Sequence, residues 1–143
     1  MPRGRPLRDD DTAMAAVQTA PSHDDEQLLV RAHALVERGW SRTAIAVDGE
    51  GREVEPWSSA ARSWSALGAL ERAWAERSTG DVDAFATAYR ALAMATGGRV
   101  SEWNAARWRT KQHVSRAFTH ALEFLPEARN QPTLVEHEQQ EPS

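Results

Sequence analysis

Four stretches of this chain repeat apolar residues every three or four positions, and each is followed by glycine or proline. That pattern confines the fold to packed helices. The first stretch places Leu28, Leu29, Ala32, Leu35 and Val36 on one face. Ser22 or Asp24 is its expected cap, and Gly39 stands where a left-handed C-terminal cap belongs. The second is expected to start at Ser58 or Ser59 and to present Ala60, Ala61, Trp64, Leu67, Gly68, Leu70 and Trp74, with Gly80 beyond its end. A glycine within a helix costs about 1 kcal/mol against alanine, so Gly68 implies a close backbone approach. The third, capped by Asp81, would bury Val82, Phe85, Ala86, Tyr89, Leu92 and Ala93 and end at Gly97-Gly98. In the fourth, Thr110 caps a face of Val114, Ala117, Phe118, Ala121, Leu122 and Leu125, and Pro126 is expected to stop it. A loop or short helical turn over 100–104 precedes it.

Between the first two helices lies Thr43-Ala44-Ile45-Ala46-Val47, then Asp48-Gly49-Glu50-Gly51, then Arg52-Glu53-Val54-Glu55-Pro56. Asp-Gly between two such runs predicts a short β-hairpin. The expected fold is therefore mainly α, a small four-helix bundle with one short hairpin between its first and second helices. Residues 1–22, rich in Pro, Gly and Arg around Asp9-Asp10-Asp11, read as a disordered arm. Residues 23–126 form a single helical domain, and 127–143 an acidic disordered tail.

Composition closes several function classes. The chain has no cysteine, which removes disulfides, thiolate nucleophiles and Cys-based metal sites. No apolar run nears the roughly 20 residues of a membrane span, and the N-terminus lacks the apolar stretch of a secretory signal, so the expected location is cytoplasmic without membrane contact. Net charge is −4, but residues 23–125 carry 13 basic and 14 acidic side chains and are almost neutral. A wholly basic, nucleic-acid-coating surface is thereby excluded; a local basic face is not.

Catalytic signals are weak. The five histidines (His23, His33, His113, His120, His137) include no i, i+4 pair, and His113 and His120 lie two turns apart. Asp48, Glu50, Glu53 and Glu55 are simplest as a soluble turn. Ser65 lies in an expected helix without a nucleophile elbow, and no phosphate-binding glycine loop occurs. No cofactor, metal or catalytic role is expected.

Arg38-Gly39-Trp40, the turn Asp48-Gly49-Glu50-Gly51-Arg52, Trp64-Ser65-Ala66-Leu67-Gly68-Ala69-Leu70, and Trp103-Asn104 followed by Arg109-Thr110 together resemble a family of small actinobacterial proteins of unknown function. The resemblance spans roughly 28–125 and implies a helical single domain without an assigned activity. Members of that family often carry Cys at the position of Ser65 and Asp at that of Ala105. Both departures put thiol or carboxylate chemistry there in doubt.

Six tryptophans (Trp40, Trp57, Trp64, Trp74, Trp103, Trp108) exceed what a core of this size needs for filling. Trp64 and Trp74 are expected to share a helix face. Tryptophan and arginine dominate binding hot spots. The expected function is thus recognition of a protein partner through Trp40, Trp57, Trp103, Arg107 and Arg109. The alternative is nucleic-acid binding through Arg99, Arg107, Arg109, Lys111 and Arg116, on a last helix whose polar first turn is similar to a recognition helix. The acidic tail, folding back on that stretch, would mask such affinity.

Overall fold

The computed structural model describes residues 23–77 and 82–131. The elements run α1 (His23–Arg38), β1 (Ala46–Val47), β2 (Ser63–Trp64), α2 (Ala66–Glu76), α3 (Val82–Thr96), α4 (Val100–Ala105) and α5 (Lys111–Arg129). The chain is mainly helical with one short antiparallel strand pair, as the periodicity implies. A six-residue fifth helix, α4, occupies the turn before the last long one. Among the described residues no helix is long and apolar enough to cross a membrane. The expected arm over 1–22, most of the expected tail, Gly80 and the Asp81 cap lie outside the described residues.

Helix α1 forms as its pattern dictates: Leu28, Leu29, Ala32, Leu35 and Val36 are all buried. Helix α5 lies antiparallel to it, held at both ends. Arg129 donates to both carboxylate oxygens of Asp25, at 2.9 and 2.7 Å, pinning the end of α5 to the start of α1. At the other end, Lys111 Nζ donates to the Glu37 carbonyl at 2.9 Å and the Ser115 hydroxyl to the Glu37 carboxylate.

This pairing explains why Pro126 does not stop α5. The proline lies inside the helix, one turn from its end, and removes only the hydrogen bond to the Leu122 carbonyl. Buried Ala128 and the forked Arg129–Asp25 pair, a charge-assisted arrangement stronger than a neutral hydrogen bond, carry the helix three residues further.

The third helix is rotated from its expected face. Ala84, Ala88, Ala91 and Leu92 are buried, whereas Phe85 and Tyr89 are partly buried and Val82 is exposed. Small side chains let α3 pack on α5, where Ala117, Ala121 and Ala128 are also buried. Phe85 lies instead at the rim, 5.2 Å from the Trp74 ring.

The hairpin and the second helix also differ from expectation. Asp48 forms its turn, accepting from the backbone N–H groups of Glu50 and Arg52 at 2.9 Å, but β1 pairs with Ser63–Trp64, in the register Ala46 to Trp64 and Val47 to Ser63. The expected partner, 52–56, meets β1 only in a single bridge from Val47 to Glu53 and one hydrogen bond from Val54 to Ala46. Trp64 claims the pairing: its backbone also bonds to Gly39 and Ser41, and its indole N–H donates to the Pro56 carbonyl at 3.0 Å. Turns over 56–60 and the strand Ser63–Trp64 therefore occupy the expected start of the second helix. Ser65 is the N-cap of α2, accepting from the Gly68 N–H, rather than an interior helical residue. Trp64 and Trp74 consequently do not share a helix face.

Two glycines sit where this loop meets the helices. A Cβ on Gly68 would lie 2.0 Å from the Ile45 carbonyl oxygen, the close approach its position implies. Gly39 has no left-handed backbone. Its small size is needed instead, because a Cβ there would meet the Arg62 carbonyl oxygen at 2.2 Å.

Gly68→Ala forces the β1 loop off α2, and overpacking of this kind costs about 1–3 kcal/mol; a urea titration should show that loss despite alanine's better helix propensity. Glu76, bridging Arg31 of α1 and Arg72 of α2, is held below its ordinary value of 4.5, chiefly by the Arg31 hydrogen bond. A carboxylate depressed in the folded state adds stability that is complete above its unfolded value and is lost as pH falls through the folded one. The urea midpoint should therefore fall less on acidification below about pH 4.5 in Glu76→Gln than in the native chain.

Candidate interaction site

Asn104, one residue from the end of α4, is buried, and all its hydrogen-bonding capacity on the protein side is taken up. Its Oδ1 accepts from the Trp40 indole N–H at 2.9 Å and from the Ala66 backbone N–H at 3.1 Å. Its Nδ2 donates to the carbonyls of Ser41 and Arg42, at 3.0 and 2.7 Å. One amide thus joins the segment after α1, the first turn of α2 and α4. Arg42 reinforces the joint, donating to the Ala106 carbonyl at 2.5 Å while its guanidinium lies 5.2 Å from the Trp40 ring.

Beyond that joint, the connection from α4 to α5 builds a stack. The Arg109 guanidinium carbon is 3.9 Å from the Trp103 ring centre and 4.2 Å from that of Trp108. Its Nε donates to the Trp103 carbonyl at 2.8 Å, which fixes the plane between the two indoles. Arg109 is only 8% exposed, and burial pushes its pKa down. No acidic side chain pairs with it among the described residues. Trp108, by contrast, is 65% exposed on the outside of the stack.

A cleft of about 160 Å³ opens beside Arg109, between the end of α3, α4 and the first half of α5. Arg116, His113 and His120 line it with Arg109, together with Trp103 and two alanines, and its lining contains no acid. Thr110 and His113 form a reciprocal cap on α5. The Thr110 hydroxyl accepts from the His113 N–H, and His113 Nδ1 accepts from the Thr110 N–H. An Nδ1 that accepts leaves the proton of the neutral ring on Nε2. A second, larger cleft of about 700 Å³ lies between α1 and α2, where Arg31 faces Glu76 and Arg77 reaches Asp24 and Gln27. Its cations have carboxylate partners; those of the first do not.

The expected contact residues separate into three groups. Trp103 and Arg109 come together in the stack, with Trp40 joined to them through Asn104 and partly buried. Arg107 is exposed on the same connection, and Trp57 is 56% exposed beyond Pro56. Of the expected basic set, Arg99 pairs with Glu102 at 2.9 Å and Lys111 is bound to the end of α1, whereas Arg107 and Arg116 are exposed on this face. Trp108 was missing from the expected contact set. The signal available was its place between Arg107 and Arg109, immediately after a short helix. Among the described residues no three His, Asp or Glu side chains gather as a metal site would require.

A model of a family of unknown function, DUF6197, matches residues 20–124. No curated protein and no solved structure matches the chain.

Replacing Asn104 by alanine leaves the Trp40 indole, the Ala66 N–H and two carbonyls without their partner. At about 1–3 kcal/mol for each buried group so stranded, Asn104→Ala should lower unfolding free energy by at least about 3 kcal/mol in denaturant titration. Asn104→Asp should do no better, since a carboxylate has nothing to donate to the Ser41 and Arg42 carbonyls.

Proposed function

We propose that this chain, which belongs to the DUF6197 family, is a non-catalytic binding domain that recognises a protein partner through the Trp103–Arg109–Trp108 stack and its surroundings. The observation that carries this is Trp108: a tryptophan 65% exposed, resting on an arginine that is itself buried. Exposing an indole forgoes the gain of burying it, roughly 25 cal/mol for each Å², and the neighbouring fold holds it in place rather than covering it. An aromatic shelf over a rigid cation is the composition of an interface hot spot. Exposed Arg107 extends this shelf, Trp40 supports it from below through Asn104, and Trp57 supplies a second exposed indole.

Nucleic-acid binding is less well supported. A phosphate-tracking surface needs several free cations in series, whereas Arg109 is enclosed between two rings, Arg99 is paired with Glu102 and Lys111 is turned to α1.

Tagged capture from a lysate of the native host, before and after nuclease, tests the proposal. A defined protein should be retained after nuclease by the native chain. Trp108→Ala should weaken its capture about tenfold or more, the scale of a hot-spot loss, with far-UV circular dichroism unchanged. Equal capture by a Trp57→Ala/Trp108→Ala double variant would overturn the proposal. So would retention of nucleic acid alone, released by moderate salt and dependent on Arg107 and Arg116.

A further inference from the structure

Arg109 is a buried cation with unfinished hydrogen bonding. It is only 8% exposed, its Nε is committed to the Trp103 carbonyl, and the two indoles cover its faces without taking up an N–H. Its terminal nitrogens make no hydrogen bond among the described residues, and they are open to the cleft that Arg109 lines. Buried charges are ordinarily paired. Water can fill these donors, but only an anion also answers the charge.

Helix α5 supplies the rest of an anion site. His113, Arg116 and His120 follow one another at spacings of three and four, which places them on one helix face, and all three line the cleft. His113 is held by Thr110 so that its Nε2 carries the proton of the neutral ring and can donate. Two arginines and two histidines therefore surround a space of about 160 Å³ that has no acid in its lining. Pockets that enclose whole small molecules run to roughly 300–1,000 Å³, so this one suits a single charged group. A carboxylate would be satisfied by the Arg109 edge alone, through two parallel N–H bonds. A tetrahedral dianion matches both arginines in charge and has further oxygens for the donors of α5.

We infer that this cleft binds a phosphate group, free or at the end of a small phosphate monoester, with Arg109 donating to two of its oxygens and Arg116, His113 and His120 to the others. The inference goes beyond the protein-partner reading and does not rest on it. One enclosed group also differs from the row of phosphates along a nucleic acid.

Titration calorimetry of the full-length protein with sodium phosphate tests the site, at constant ionic strength and about pH 8, where phosphate is mainly a dianion. One saturable site is expected, with acetate bound about tenfold more weakly or worse, the scale of a lost charge-assisted contact. Arg116→Gln should weaken phosphate about threefold or more, as for an exposed cation. Arg109→Lys keeps the charge but loses the fork, and should cost about tenfold or more. In amide spectra of isotope-labelled protein, phosphate should shift signals from residues 103–120. Absence of saturable binding, or an affinity unchanged by Arg116→Gln, would overturn the site; because that side chain is exposed, this holds even if Arg109→Lys fails to fold. Acetate binding as tightly as phosphate would overturn the choice of phosphate, and shifts confined to other parts of the chain would place the anion elsewhere and overturn the inference likewise. Glycerol phosphate, titrated alongside, identifies the source: tighter binding than phosphate supports a monoester, and equal or weaker binding supports free phosphate. Partner capture is read separately through Trp108, so its failure beside saturable phosphate binding would refute the protein-partner proposal alone.

Discussion

The four hydrogen bonds of Asn104 hold together parts of the molecule that apolar packing does not by itself align. A short helix of six residues has little stability of its own, and α4 begins without a side-chain cap. Its position comes from one buried amide that satisfies an indole, a helix N-terminus and two loop carbonyls at once. Alanine cannot supply these contacts and aspartate can supply only the accepting half. The stack of Trp103, Arg109 and Trp108 is built on the end of α4 and the turn after it, so the geometry of the exposed indole depends on a buried amide.

The helical faces with long aliphatic residues were legible in the sequence. Leu28 to Val36 and Val114 to Leu125 form two stripes of α periodicity, buried as the pattern demands except for Leu122, which is partly buried. Alanine-rich α3 was not legible in the same way, since Phe85 and Tyr89 outweigh Ala84 and Ala88 in any hydrophobicity count, yet close helix approach selects the smaller face. Ala60, Ala61 and Trp64 mislead for a different reason. Their spacing fits a helix, but turns take up residues 56–60 and a tertiary contact, Trp64 pairing with Gly39, Ser41 and Ala46, holds Ser63 and Trp64 extended.

The candidate site was legible in its residue types and less so in their roles. Trp103, Arg107 and Arg109 stand close in sequence and stay close in space because only a short turn separates them. Which of the two flanking indoles would be covered and which exposed depends on the direction in which α4 delivers the chain to α5, a property of the Asn104 joint. Likewise the basic segment looks continuous as a string of letters, but burial takes Arg109 out of it and α1 takes Lys111. His113 and His120, separated by two turns of α5, gain significance only as neighbours around one cleft.

The doubly fastened pair of α1 and α5 has a consequence for the order of biosynthesis. The Asp25–Arg129 contact closes a separation of 104 residues, and Glu37 meets Lys111 across 74. On a translating ribosome, α1 therefore meets α2 first, and the part of its surface that faces α5 waits for almost the entire domain to emerge. Until then the Leu28, Leu35 and Val36 face has only α2 and α3 to lean on, and such exposed apolar surface is what chaperones bind and what drives aggregation of incomplete chains. Completion of α5 closes this remaining apolar face.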